Sequence, residues 1–230
     1  MTDTTHLGDI VVVGVRRKKN IDIPGIDEQV EVSPEAGEPG GGSGGWTQEE
    51  IDAENKRQED CAAKGAGAQI TAKPDSKDNE YLSHVYKAGD TTVYHAPRGG
   101  TGIGLTETQF TNARTEFGIQ PWDIRGIVHN HPASYYCDGI EQDGAPFSQA
   151  WADRQVGFNQ FPSEADWANA QDMVESYQYP SDLTLYIVGC DGVTRSFHYS
   201  EMSTLRPLVQ KDNAENGPVP PLRPTPPADC

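Results

Sequence analysis

A run of strand-forming residues, Asp123 to Val128, ends in His129-Asn130-His131-Pro132. No other stretch limits the fold of this chain so tightly. Residues i and i+2 of a strand project to the same face, so both imidazoles can grip one ion. Downstream, Pro162-Ser163-Glu164-Ala165-Asp166 opens an amphipathic stretch, which places the Asp166 carboxylate in the first turn of a helix. Two imidazoles and one carboxylate are a ligand set of open zinc sites, in which the fourth position is left to water. A His-x-His pair alone is more often a solvated strand end. The Ser-x-x-Asp partner is what tips the reading toward metal.

Around this strand the sequence alternates helical and extended patterns. Thr47 followed by Glu50 is a capping-box signature and starts a helix expected to run to about Gly65 or Gly67, with Ala62 and Ala63 as a small-residue face. Ser83–Tyr86 and Thr92–His95 read as a hairpin turning near Ala88-Gly89-Asp90. Residues 106–117 read as a second helix, with Leu105, Phe110, Ala113 and Phe117 on one side. A third begins at Pro162-Ser163 and reaches about Tyr177. Leu183–Val188 and Val193–Tyr199 form a closing hairpin around Gly189-Cys190-Asp191-Gly192. The fold class is therefore α/β, a mixed sheet flanked by helices.

The ends differ in composition. Residues 1–32 hold two short strand-like pieces, Ile10–Val15 and Gln29–Val32, neither long enough to fold alone. Residues 33–45 form a Gly/Pro-rich linker, and 213–230 a Pro-rich tail. Both ends are expected to be disordered, which leaves 46–212 as one domain. The formal charge of −17 disfavours a nucleic-acid partner. No stretch has the length of a membrane span. Ile10–Val15 is too short for a leader and is followed, not preceded, by Arg16-Arg17-Lys18-Lys19. The expectation is a chain cytoplasmic at synthesis, exported if at all by a leaderless route. Cys61, Cys137, Cys190 and Cys230 contain no C-x-x-C pair and read as free thiols, with a bridge at Cys137 if the protein is exported.

His129-Asn130-His131-Pro132 followed by Ser163-Glu164-Ala165-Asp166 resembles the signature of the JAMM (JAB/MPN+) zinc metallopeptidases. The subgroup it is most similar to is the bacterial JAB-like domains of toxins and effectors. The upstream Glu80-Tyr81 and its hairpin match the family's catalytic glutamate region. The resemblance implies a deaminase-like sandwich and a Zn2+ ion held by His129, His131 and Asp166. It further implies Glu80 as general acid/base and Ser163 as oxyanion donor, acting on a protein or peptide substrate. A secretion-machine or immunity partner would go with the toxin setting. The chain departs from the family in residues 133–162, which stand where the family has a short spacer. An insertion there is tolerable, since loop closure costs grow only logarithmically with length. It is expected to control access to the site. It also brings Asp138, Glu141, Asp143 and Asp153 forward as competing ligands.

Other residues keep plainer readings. Glu80 lies in the hydrophilic run Lys77-Asp78-Asn79-Glu80, where a surface carboxylate is common, and Glu164 is its rival as base. Ser163 caps a helix in any case. His6, His84, His95 and His198 read as structural or solvated. Trp151, Phe158, Phe161 and Trp167 are core by default, with cover of the cleft as the alternative. Two further functions compete with hydrolysis of peptide or isopeptide bonds. One is a catalytically inactive JAMM-like binding scaffold, with one of Glu80, His129, His131 or Asp166 displaced. The other is an HNH-like nuclease, which the charge and the consecutive His-Asn-His disfavour.

Overall fold

The computed structural model describes residues 3–7, 10–14, 46–99, 102, 104–136, 157–210 and 230. In chain order the elements are β1 (Asp3–Leu7), β2 (Ile10–Gly14), α1 (Gln48–Thr71), β3 (Tyr81–Ala88), β4 (Thr91–His95) and β5 (Arg98–Gly99). They continue with α2 (Glu107–Glu116), β6 (Ile124–Asn130), α3 (Ala133–Tyr136), α4 (Glu164–Ser176), β7 (Thr184–Val188), β8 (Thr194–His198) and α5 (Met202–Val209). The strands form one mixed sheet in the order β1-β2-β4-β3-β6-β7-β8, with β5 on the end of β3. Among the described residues only β6 and β7 pair in parallel, joined by a crossover that contains α4.

Helices cover both faces of this sheet. On one, Ala62, Ala63, Ala66 and Ile70 of α1 pack against Val85, Tyr94, Val128, Tyr186 and Val188. On the other, Phe110 of α2 and Trp167, Ala170 and Met173 of α4 pack against Leu82, Ile127, Leu185 and Ile187. The mixed α/β class read from the sequence is the class observed. Strand alternation decides which side chains meet which helices. Leu82, His84, Ile127 and His129 share the α2/α4 face, whereas Val85 and Val128 face α1.

α1 overruns its expected end and continues to Thr71. Gly65 and Gly67 were read as terminators, but here they are close-approach positions. A Cβ on Gly67 would lie 2.1 Å from Thr194 Oγ1 and 3.1 Å from Val188 Cγ2. The small residues let the helix sit directly on the sheet. α5 was not read from the sequence at all, because Pro207 hides a short helix whose Leu205 is buried. β1 was also missed, and β2 covers Ile10–Gly14 of the stretch read as a strand, with Val15 outside the described residues. Gln29–Val32, the linker at 33–45, Trp151 and the tail up to residue 229 lie outside the described residues.

The free-thiol reading is overturned. Cys61, buried on α1, is bonded to Cys230 across a sequence separation of 169, and Cys190 is also disulfide-bonded. On a chain-entropy view a loop of that length contributes about 5 kcal/mol to stability.

Gly67→Ala separates packing from propensity. Alanine is the better helix former by about 1 kcal/mol, yet it should destabilise the fold by about 1–3 kcal/mol through overpacking against Thr194 and Val188. Urea unfolding of the oxidised chain measures this. A more stable variant would show that the α1–sheet approach is looser than described.

Candidate metal centre

β6 carries His129 and leads directly into His131. The amide of His131 donates to Val188 O at 3.2 Å, extending the parallel pairing with β7 past the strand end. The two imidazole centroids are 5.2 Å apart. The third member comes from the crossover. Ser163 caps α4, its Oγ accepting the Asp166 N–H at 3.2 Å, while Asp166 Oδ2 accepts the Ser163 N–H at 2.6 Å. This capping box aims the carboxylate at the histidines. Asp166 Oδ1 lies 3.2 Å from His129 Nε2 and Oδ2 lies 3.1 Å from His131 Nε2.

One ligand atom from each of His129, His131 and Asp166 falls within 4.8 Å of the others. His129 Nε2 is buried beside the carboxylate without a hydrogen bond to it. His131 Nδ1 donates to Asn159 O at 2.8 Å, which leaves Nε2 to face Asp166 Oδ2 at 3.1 Å. Two imidazole nitrogens and a carboxylate oxygen converging in a buried place suit a divalent metal ion.

Asn159 had no signal in the sequence, because its contact with the ligand is made by a main-chain carbonyl. Its side chain is buried and braced. Oδ1 accepts the Cys190 N–H at 2.8 Å and Nδ2 donates to His131 O at 3.4 Å. The far end of the 133–162 segment therefore belongs to the site itself. Asp138, Glu141, Asp143 and Asp153 lie outside the described residues.

Glu80 immediately precedes β3 and points to the same cluster. Its Oε1 lies 3.8 Å from His129 Nε2, and its Oε2 accepts the Gly104 N–H at 2.6 Å. Gly104 has φ 95°, a backbone state that glycine adopts without penalty. Asn130, between the two histidines, faces the other way. Its Oδ1 accepts the Tyr81 N–H at 2.7 Å, and its Nδ2 donates to Ser76 O and Asn79 O at 2.7 and 3.0 Å. The ligand strand thereby pins the segment that leads into Glu80. Glu164, the rival carboxylate, is half exposed and sits 4.0 Å from Arg206 Nη2, turned toward α5. A cleft of about 280 Å³ opens beside His131, with Ser76, Lys77, Ala133, Gly189 and Asp191 in its walls.

Charge in the cluster is strongly coupled. Burial raises the Glu80 carboxyl above its ordinary value; His129 opposes this and Asp166 adds to it. Asp166 is held well below the usual carboxylate range: burial works against this, but His129 and His131 outweigh it. Burial alone would depress His129, yet Asp166 and then Glu80 raise it to about 9. Comparison of the chain with family models, with curated proteins and with solved structures finds no match.

Zinc added to the metal-free chain should bind at about one ion per chain and be lost in the His129→Ala, His131→Ala double variant. Below pH 9 the metal-free His129 carries a proton that an ion must displace. Apparent affinity should therefore rise roughly tenfold per pH unit through neutrality and level off near 9. Calorimetry in buffers of different ionisation enthalpy reads the released proton. Affinity independent of pH and buffer would remove His129 from the ligand set.

Proposed function

We propose that this chain is a zinc-dependent hydrolase of peptide or isopeptide bonds, of the JAMM type. The observation that carries the proposal is the position of Glu80. This buried carboxylate lies 3.8 Å from His129 Nε2, beside the His-His-Asp cluster but held out of it by the Gly104 amide. A metal-dependent hydrolase needs such a carboxylate, near enough to exchange protons with the reacting atoms and not itself a strong ligand. The proximity of Glu80, His129, His131 and Asp166 favours an enzyme over a scaffold with one of them displaced. The charge of −17 weighs against the nuclease.

His129, His131 and Asp166 would hold the zinc, which when bound supplies Lewis acidity and lowers the pKa of a water. Glu80 takes a proton at Oε1 and returns it to the departing amine. Its buried setting moves its pKa upward, toward the range where both transfers are feasible at neutral pH. Gly104 holds the other oxygen and keeps the carboxylate oriented. The Ser163 hydroxyl, whose oxygen already accepts the Asp166 N–H, still has its own proton to give to a developing oxyanion. The cleft beside His131 lies at the carboxyl ends of the parallel strands β6 and β7, a place where open sheets receive ligands.

The Cys61–Cys230 bond supports a working place outside a reducing cytosol. It agrees with an exported effector whose substrate is another cell's protein or peptide.

Glu80→Gln keeps the acceptor for Gly104 but cannot take a proton. It should retain zinc and fold while lowering turnover by about 10²–10⁴-fold. Mass spectrometry of a panel of unfolded proteins, isopeptide-linked conjugates and cross-bridged peptides supplies the assay. Wild-type turnover in the variant would remove Glu80 from the reaction. A panel left uncut by the zinc-loaded wild type would count against hydrolysis and for the scaffold.

A further inference from the structure

Glu80 lies beyond the ladder that joins β3 to β6. The last pair of that ladder is Leu82 opposite His129. Strand pairing alone therefore does not fix the Glu80 carboxylate against the His-His-Asp cluster. A general acid/base needs to be fixed, because a misplacement of about 1 Å can cost about 10²-fold in rate.

One side chain stands in for the missing pair. Asn130 alternates with the two histidines and so projects to the opposite face of the sheet. It is 4% exposed. Its Oδ1 accepts the Tyr81 N–H at 2.7 Å, and its Nδ2 donates to Asn79 O at 3.0 Å and to Ser76 O at 2.7 Å. Asn79 and Tyr81 are the residues on either side of Glu80. A single amide thus grips the main chain on both flanks of the carboxylate, using an acceptor and donors that no carboxylate or hydroxyl side chain combines.

The same two residues anchor what surrounds Glu80. Asn79 Oδ1 accepts the Gly102 N–H at 2.8 Å, and Gly102 O accepts the Glu80 N–H at 3.0 Å. Asn79 Nδ2 and the Tyr81 hydroxyl both donate to Asp75, at 2.9 and 2.6 Å. The histidines are placed by other bonds. β6 pairs with β7, the His131 N–H donates to Val188 O, and His131 Nδ1 donates to Asn159 O. None of these uses the Asn130 side chain.

We propose that Asn130 is a positioning residue for Glu80, fixing that carboxylate beside His129 Nε2 without ordering the metal ligands. Its part in turnover rests on the hydrolase reading above. The clasp itself belongs to the folded chain with or without metal.

Asn130→Ala should lower kcat about 10²-fold and leave zinc affinity as in the wild type. Loss of a group that orients a metal ligand would instead weaken zinc binding by roughly 10–100-fold, and that result overturns the proposal. Added to Glu80→Gln, Asn130→Ala should cost nothing further, because residues that act through one another are not additive. A merely structural asparagine would lower the turnover of the Glu80→Gln chain by the same factor as that of the wild type. That outcome, or full turnover in a folded Asn130→Ala chain, overturns the positioning role. In NMR of the metal-free wild type, a scalar coupling should connect Asn130 Nδ2 with the Asn79 carbonyl carbon. The Gly104 amide proton, which reports on Glu80 Oε2, should move upfield in Asn130→Ala. An absent coupling or an unmoved Gly104 signal overturns the clasp. Should Asn130→Ala fail to fold, Asn130→Asp replaces it with the same expectations, since it keeps an acceptor for Tyr81 but has no amino group for Asn79 O. A wild type that binds no zinc or cuts no substrate fails the hydrolase reading alone, and the NMR results still decide the clasp.

Discussion

The Asp166 carboxylate is the point on which the site and a large part of the fold both depend. One of its oxygens closes the capping box with Ser163 and so starts α4. The same carboxylate faces both imidazoles at 3.1–3.2 Å. α4 in turn supplies Trp167, Ala170 and Met173 to the core and lies in the crossover between the parallel strands. Helix initiation and ligand placement are thus one event. The usual N-terminal preference for an anion is used here to hold a buried negative charge, which the histidines stabilise from the other side.

The parts of this arrangement that were legible in the sequence are those set by local geometry. The i, i+2 relation of His129 and His131 and the three-residue offset from Ser163 to Asp166 follow from strand and helix periodicity alone. Glu80 is different. Its nearness to His129 depends on the β3–β6 register, a contact between segments far apart in the chain, and only the family resemblance suggested it. Asn159 could not be found, because a carbonyl oxygen is the same for every residue type. His84 and His95 were read as structural or solvated; the hydrogen bond between His84 Nδ1 and His95 Nε2 emerges only once β3 and β4 are paired. Gly65 and Gly67 misled the reading because glycine marks helix ends and close contacts alike, and only the neighbour decides which.

Packing explains how two sets of polar groups survive inside the sheet layer. The face toward α1 is closed by small residues and by Tyr186, whose hydroxyl donates to Asp60 Oδ1 at 2.8 Å. The opposite face carries Glu80, His84 and His129 in a row with Leu82 and Ile127 between them. Burying so many ionisable groups is tolerable only where each has a defined partner. Glu80 meets the condition through the Gly104 amide and His84 through His95, while His129 faces the Asp166 carboxylate at 3.2 Å.

The bond between Cys61 and Cys230 closes a covalent ring around the sheet, the crossover and the His-His-Asp cluster. A single backbone cut inside that ring would leave both pieces attached, with the core contacts of β3, β6 and β7 still holding them in register. Nicking and disassembly become separate events, and the second waits on reduction. In surroundings rich in proteases such a chain keeps its shape after damage that would scatter an open one.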